Sequence, residues 1–351
     1  MNMTMVAQQQ ITNEVKCNRS VGGLWDEIRP YSRSITTTIQ SYLPDGRPLI
    51  AGDATGLPSG SFKERGAVAK MREVYGEGHR DVVTASAGNF AAGVALGARA
   101  LGMNAEVFVP IGTPEVKKQN IMRLGAGAVR VRELAETFEE SRMMAQEYAD
   151  EYDSVMVEPF DDEMVALGQG TIAYELLKKH PSIEHLLVPA GGGGLAAGCI
   201  EAIRQAGLRA KVYGVKLRSE QELCEGANVV ELGTVARRTI EHNKELWGGL
   251  LLVDPIDVGQ RVAEEDAVRA EHAEAMGGVA YDRYPEATAL LGAAAAHRYF
   301  ASMRGVMATI VTGSNADQTK LDRLHSHVTN NRITTPSRKM WIASGEQLRG
   351  R

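Results

Sequence analysis

A run of four glycines is the segment of this sequence most specific for ligand chemistry. It follows an apolar stretch that ends at Pro189 and precedes a helical pattern that starts near Leu195. Glycine lets a backbone approach a ligand closely with unusual φ, at an entropic cost that a plain turn would not justify. Successive N–H groups at a helix start bind phosphate. The run matches neither GxGxxG nor a Walker lysine motif, so we expect another kind of phosphate site. The four residues are Gly191, Gly192, Gly193 and Gly194.

A lysine lies at the start of another helical pattern, in the segment SGSFKERG at residues 59–66. Near the positive end of a helix and partly removed from water, Lys63 would have a lowered pKa. Its neutral amine is the form that attacks a carbonyl to give a Schiff base. Taken alone, such a lysine is more often a solvated surface residue. Lys63 is therefore a candidate nucleophile that needs support from other segments.

Two further segments follow predicted strands. The N–H groups of Ser86-Ala87-Gly88-Asn89-Phe90 could receive a carboxylate, and Asn89 could hydrogen-bond a phenolic oxygen on a ring. Read alone, Ser86 or Asn89 fits an ordinary helix cap equally well. In the segment VTGSN at residues 311–315, the hydroxyl of Thr312 could meet a ring nitrogen, although the segment alone is typical of a turn.

These four segments must be positioned by alternating strands and helices. Short β-branched runs alternate with helical patterns from Val82 to Val157, and a second such series runs from about Gly170 to Val311. This spacing predicts an α/β fold of two lobes with mostly parallel, doubly wound sheets. Ligands of such sheets bind at the carboxyl ends of the strands, where all four segments are expected.

Composition excludes several classes of function. With 39 basic and 44 acidic residues, the chain has a net charge of −5 and no strongly basic character, so a nucleic-acid partner is not expected. Three cysteines without a CxxC pair disfavour disulfides and a cysteine zinc site, and favour the cytoplasm. We see no apolar segment long enough for a membrane span and no secretory signal. The histidines lack metal-ligand spacing, so no metal site is expected.

Together, in this order, the four segments resemble the fold-type-II pyridoxal-phosphate (PLP) enzymes, and most closely the threonine and serine dehydratases, or ammonia-lyases. KKQNIMRLGAG at 117–127 and ALGQGTIA at 166–173 support the likeness. The resemblance implies that Lys63 binds PLP covalently and later acts as the base at Cα. It implies that glycines 191–194 bind the phosphate, that Phe62 stacks beside the ring, and that Thr312 faces the ring nitrogen. It also implies that Ser86, Ala87, Gly88, Asn89 and Phe90 form the substrate-carboxylate loop, with Asn89 reaching the cofactor's phenolic oxygen as well.

The chain departs from these families at several positions. Phe90 stands where dehydratases usually have histidine, which suggests a reshaped pocket. Ala87 stands where serine racemases have a second serine, so racemase activity is not expected. Lys216 occupies the place of a metal-binding glutamate, which argues against a divalent-cation site. In Tyr284-Pro285-Glu286, the acidic residue of the usual Glu-Pro stretch is displaced.

The expected activity is PLP-dependent β-elimination on serine, threonine or a β-substituted amino acid, giving a 2-keto acid and ammonia. Two alternatives remain open: β- or γ-replacement as in threonine synthases, and a non-catalytic binder of a phosphorylated ligand. The resemblance predicts a large lobe of residues 1–80 plus 165–351 and a small mobile lobe of residues 81–164, with the cofactor in the cleft between them. It also predicts a homodimer.

Overall fold

The computed structural model describes residues 19–159, 161–218, 232–275, 285–315, 321–323 and 326. Within these residues the strands form two sheets. The strands are β1 Thr36–Tyr42, β2 Pro48–Asp53, β3 Asp81–Ala85, β4 Asn104–Pro110, β5 Val129–Ala135, β6 Val155–Met156, β7 Ile183–Pro189, β8 Lys211–Leu217, β9 Trp247–Val253 and β10 Val306–Val311.

Helices connect most of these strands. They are α1 Val21–Ile28, α2 Lys63–Gly76, α3 Asn89–Leu101, α4 Glu115–Gly125, α5 Phe138–Tyr152, α6 Glu163–Lys179, α7 Gly194–Gln205, α8 Thr234–His242, α9 Pro255–Ala275 and α10 Leu291–Tyr299. Short 3₁₀ helices span Lys244–Leu246 and Ala287–Leu290. None of the helices in the described part of the chain combines the length and the apolar character that a bilayer crossing needs.

The larger sheet has the strand order β1-β2-β10-β7-β8-β9, in which only the β1–β2 pair is antiparallel. The smaller sheet has the order β5-β4-β3-β6 and is parallel throughout. Separate apolar clusters lie against the two faces of the larger sheet, because neighbouring residues such as Leu186 and Leu187 point to opposite sides. The predicted α/β class with mostly parallel, doubly wound sheets is confirmed.

Helix α6 begins at Glu163, seven residues before Gly170, where the sequence predicted the second series of elements to start. The carboxylate of Asp162 accepts a hydrogen bond from the N–H of Val165 at 2.9 Å and caps the helix start. Strands β1, β2 and β9 and helices α1 and α8 were absent from the prediction. In β9, two glycines follow Trp247, a composition that disfavours a strand until its neighbours provide pairing.

Helix α6 crosses its neighbours at distances that only glycine permits. A Cβ on Gly66 of α2 would lie 2.7 Å from the carbonyl oxygen of Val165, and one on Gly168 would lie 2.6 Å from that of Arg65. Gly170 and Gly198 meet in the same way where α6 crosses α7. Since α2 begins at Lys63 and α7 begins at the glycine run, these crossings fix the starts of both helices relative to each other.

A buried cation reinforces the crossing of α2 and α6. The Arg65 side chain is fully buried, lies 3.9 Å from the ring centroid of Trp25, and forms a 2.8 Å ion pair with Glu175. It also donates to the hydroxyl of Thr171 at 3.0 Å. The second carboxylate oxygen of Glu175 accepts from the N–H of Ile35 at 2.9 Å. Burial lowers the pKa of Arg65, whereas the negative charge of Glu175 opposes that shift.

We expect Glu175→Ala to lower the free energy of unfolding by about 3–5 kcal/mol, because Arg65 would remain buried without its counter-charge. Urea denaturation measures this change. Glu158→Ala is the matched control, because Glu158 pairs with Arg142 at the surface, where such pairs contribute about 0–1 kcal/mol. Equal losses in the two variants would contradict the role assigned to the buried pair.

Candidate active site

The four segments singled out in the sequence all lie where parallel strands end. Residues 54–62 follow β2, residues 86–88 follow β3, residues 190–193 follow β7, and residues 312–315 follow β10. Since β2, β10 and β7 are neighbours in the larger sheet, three of these segments share one edge of it. This is the edge at which α/β folds bind ligands.

Lys63 is the first residue of α2, as predicted, and its side chain is partly buried. The next residue, Glu64, anchors the preceding loop because its carboxylate accepts hydrogen bonds from the N–H of Ser59 at 2.7 Å and from the hydroxyl of Ser32. Burial raises the pKa of Glu64, while these hydrogen bonds lower it. The sequence reasoning gave Glu64 no role, although it is the residue that holds the Lys63 loop in place.

The start of α2 is joined directly to the segment after β10. The N–H of Phe62 donates to the carbonyl oxygen of Thr312 at 2.8 Å, and Ser61 forms an isolated bridge with Gly313. The hydroxyl of Thr312 is buried and makes no hydrogen bond with any described residue. A buried hydroxyl without a partner is costly in a finished core, so this atom is suited to a ligand that provides one.

The glycine run forms the turn between β7 and α7. Gly193 has a φ of +86°, and a Cβ there would lie 2.6 Å from the Cβ of Ala236. No side chain of a described residue caps the start of α7. The turn therefore requires glycine at this position, and the first N–H groups of the helix are left for an anion.

The GQGT string at residues 168–171 of α6 packs between the glycine run and helix α2, which begins at Lys63. The buried Gln169 side chain packs against Gly66 of α2 and Gly194 of α7, where a Cβ on either glycine would lie 3.0 Å from it. Thr171 accepts from Arg65 at 3.0 Å and donates to the carbonyl oxygen of Gly168 at 2.6 Å. The string thus has a packing function that its sequence pattern did not reveal.

The segment Ser86–Gly88 leads from β3 into α3, which begins at Asn89. The hydroxyl oxygen of Ser86 accepts from the N–H of Gly88 at 3.3 Å, and Ala87 is half-buried. Phe90, by contrast, is 0% exposed and packs in the apolar cluster around α3. Its side chain faces this core, and the pocket-shaping effect expected from Phe90 stays a prediction.

Asn89 lies in a hydrogen-bonded network that the sequence did not predict. Its Nδ2 donates to both carboxylate oxygens of Glu286, at 3.0 and 3.1 Å, and its Oδ1 accepts from Nδ2 of Asn315 at 2.5 Å. From the sequence, Glu286 was expected to be displaced from the position that the acidic residue has in the Glu-Pro stretch of the dehydratases. The structure places Glu286 at the candidate site nonetheless; Tyr284 lies outside the described residues.

No group of three or more metal-binding side chains occurs among the residues with described positions. Lys216 lies at the end of β8 and is 8% exposed, and burial lowers the pKa of its ammonium group. A buried ammonium at this place would repel a divalent cation.

The residues present fit PLP. The glycine turn offers N–H donors to a phosphate, Lys63 offers an amine, and the unpartnered Thr312 hydroxyl offers a hydrogen bond to a ring nitrogen. These three groups belong to segments that are linked by packing through Gln169 and by the Phe62–Thr312 hydrogen bond. The donor set therefore suits a phosphorylated aromatic aldehyde.

Comparison with known proteins gives consistent results. A family model described as pyridoxal-phosphate dependent enzyme matches residues 51–282. The biosynthetic L-threonine dehydratase of Burkholderia multivorans is 39% identical over 214 residues, which cover 56% of this chain and 42% of that protein. The L-threonine ammonia-lyase of Geobacter sulfurreducens is 41% identical over 162 residues, covering 45% of this chain and 39% of that one. The chain thus aligns with less than half of the length of either relative.

Solved structures extend the likeness beyond the aligned sequence. The processed form of threonine deaminase isoform 2 from Solanum lycopersicum has a TM-score of 0.70 at 25% identity, covering 86% of this chain and 88% of that chain. A threonine deaminase from T.th. has a TM-score of 0.70 at 26% identity, covering 85% of this chain and 97% of that chain. With the family match over residues 51–282 and the site geometry described above, the chain belongs to the pyridoxal-phosphate dependent enzymes, with the fold-type-II architecture.

Proposed function

We propose that this protein is a lyase that removes the β-substituent and the amino group of serine, threonine or a related β-substituted amino acid, giving a 2-keto acid and ammonia. One observation carries the proposal: the Lys63 helix start is hydrogen-bonded to the segment of Thr312, whose buried hydroxyl has no hydrogen-bond partner among the described residues. The names of the relatives, threonine dehydratase and ammonia-lyase, support the same reaction.

The cofactor, when bound, supplies a conjugated ring that withdraws electrons from the substrate Cα. Lys63 would hold it covalently through Nζ, and the N–H groups of residues 191–194 would bind its phosphate. Phe62 would lie beside the ring, and Asn89 would donate a hydrogen bond to its phenolic oxygen. The N–H groups of residues 86–89 would bind the substrate carboxylate, which places Cα within reach of Lys63.

Lys63 would act as the base at Cα of the bound substrate. Its neutral amine would take the proton from Cα, and the electron pair of that C–H bond would form a Cα–Cβ double bond as the Cβ–O bond breaks. The hydroxyl would leave as water with one proton, which balances the proton taken up by Lys63. Hydrolysis of the unsaturated product adds water back and releases ammonia and the 2-keto acid. The reaction involves no net oxidation or reduction, so no further co-reactant is needed.

The hydroxyl of Thr312 directs the outcome. A carboxylate at this position would hold the ring nitrogen protonated and favour storage of the negative charge in the ring. A neutral hydroxyl does not, so the charge that develops at Cα is relieved by loss of the β-substituent. For this reason we propose elimination ahead of reactions that need a long-lived carbanion.

We further propose that residues 81–164 form a small lobe that closes over the substrate, and that residues 1–80 and 165–351 form the large lobe. All strands of the smaller sheet lie within the first range, and α2 packs against the apolar clusters of both parts. Closure would exclude water and orient the Cα–H bond. A homodimer and a cytoplasmic location are proposed by likeness to the family.

The purified protein should release ammonia and a 2-keto acid from serine, threonine or a β-substituted analogue without a second nucleophile. Borohydride should reduce its chromophore onto a peptide that contains Lys63. Lys63→Ala should lose both turnover and covalent attachment, because no other amine takes its place, whereas Lys70→Ala on the same helix should retain both. Retained turnover in Lys63→Ala would refute the assignment, and a requirement for a second nucleophile would indicate replacement chemistry.

Thr312→Asp should favour a protonated ring nitrogen, and on addition of substrate it should give a longer-lived absorbance at long wavelength with slower release of keto acid. Stopped-flow absorbance measures both effects. Thr312→Ser keeps the hydroxyl and serves as the control with a spectrum close to that of the wild type. If Thr312→Asp leaves the absorbance and the product rate unchanged, Thr312 does not face the ring nitrogen.

A further inference from the structure

Two amides and a carboxylate near the candidate site form a chain of hydrogen bonds in which Asn315 donates to both of its neighbours. Nδ2 of Asn315 donates to the carbonyl oxygen of Ser59 at 3.2 Å and to Oδ1 of Asn89 at 2.5 Å. Nδ2 of Asn89 then donates to both oxygens of Glu286. The chain starts in the loop before Lys63 and ends at the segment before α10.

The chemistry at both ends decides which way each amide points. A backbone carbonyl can only accept, so Asn315 must turn its Nδ2 toward Ser59 and Asn89. Oδ1 of Asn89 therefore faces Asn315, and its Nδ2 faces the opposite side. An ionised carboxylate also only accepts, so Glu286 reinforces this orientation with a charge-assisted hydrogen bond.

The backbone of Glu286 is fixed to the segment of Thr312. Its N–H donates to the carbonyl oxygen of Gly313 at 2.9 Å, and its own carbonyl oxygen accepts from the N–H of Ala289 at 2.8 Å. A Cβ on Gly313 would lie 2.9 Å from Oε1 of Glu286, so glycine at this position makes room for the carboxylate. The carboxylate is therefore held beside Asn89 by the same segment that presents the Thr312 hydroxyl.

We propose that Glu286 is a positioning residue that holds the carboxamide of Asn89 in the orientation that directs an N–H toward the phenolic oxygen of the cofactor. This inference rests on the proposed function, in which Asn89 contacts that oxygen. An N–H aimed between the two carboxylate oxygens makes a three-centre bond and leaves the second N–H of Nδ2 for the cofactor. Without Glu286 only the bond from Asn315 orients the amide, so the flipped state, in which Oδ1 faces an electron-rich oxygen, becomes more populated.

The test measures cofactor binding rather than turnover. Apoenzyme is titrated with PLP, and the dissociation constant and the absorbance maximum of the bound cofactor are recorded for Glu286→Ala and Glu286→Gln. Glu286→Ala should bind PLP about tenfold more weakly, which corresponds to about 1.4 kcal/mol, with a shifted maximum. Glu286→Gln should stay close to the wild type, because its amide oxygen still accepts from Asn89.

A double-mutant cycle with Asn89→Ala isolates the coupling. If Glu286 acts through Asn89, the double variant binds PLP no more weakly than Asn89→Ala alone. Glu133→Ala is the matched control, since the carboxylate of Glu133 also accepts a hydrogen bond from a side-chain nitrogen, that of Lys118, but lies away from the site. It should leave PLP binding unchanged.

Additive effects in the cycle would overturn the inference. So would an unchanged PLP dissociation constant in Glu286→Ala combined with a raised KM for the amino acid, because this would make Glu286 a substrate contact. Wild-type protein that forms no borohydride-reducible link to Lys63 would instead refute the proposed function. Thermal unfolding of each apo variant identifies any variant that has lost its fold, and Glu286→Gln then provides the decisive comparison.

Discussion

The starts of three helices are held together by crossings at which backbones touch. Helix α6 meets α2 at Gly66 and Gly168, and α2 meets α3 at Gly93, where a Cβ would lie 2.8 Å from the Cα of Glu64. Interiors pack too densely for even one added methyl group at such a contact. Because α2, α3 and α7 begin at Lys63, at Asn89 and at the glycine run, these contacts set the geometry of the candidate site.

The N-termini of these helices, which are the positive ends of their dipoles, follow the carboxyl ends of parallel strands. A protein with a net charge of −5 can therefore present a local environment suited to a phosphate and a carboxylate. In the proposed reaction the helix starts bind the phosphate of the cofactor and the carboxylate of the substrate. In the same proposal, the neutral hydroxyl of Thr312 distinguishes elimination from reactions that require a charged partner for the ring.

Two polar networks complete the framework, one buried and the other partly exposed. Arg65 joins α1, α2 and α6 through Trp25, Thr171 and Glu175, and the adjacent Glu64 secures the loop that leads to Lys63. From the same loop, the carbonyl oxygen of Ser59 starts the chain of hydrogen bonds that ends at Glu286. The loop around Ser59 thus connects the Arg65 network with the chain of amides, because Ser59 bonds to Glu64 through its N–H and to Asn315 through its carbonyl oxygen.

The sequence by itself determined the α/β class and the segments that carry chemistry, because glycine runs, helix starts and strand patterns are local properties of the chain. The glycine run at residues 191–194 was recognisable for this reason, whereas Lys63 and Thr312 became candidates only because the four segments, in their order, resemble a known family. Only the tertiary structure decided that Phe90 faces the core, that the GQGT string joins α6 to its neighbours, and that Glu286 contacts Asn89 across 197 residues of chain. Such contacts depend on how the helices cross, and no local pattern records the distance between residues so far apart in the sequence.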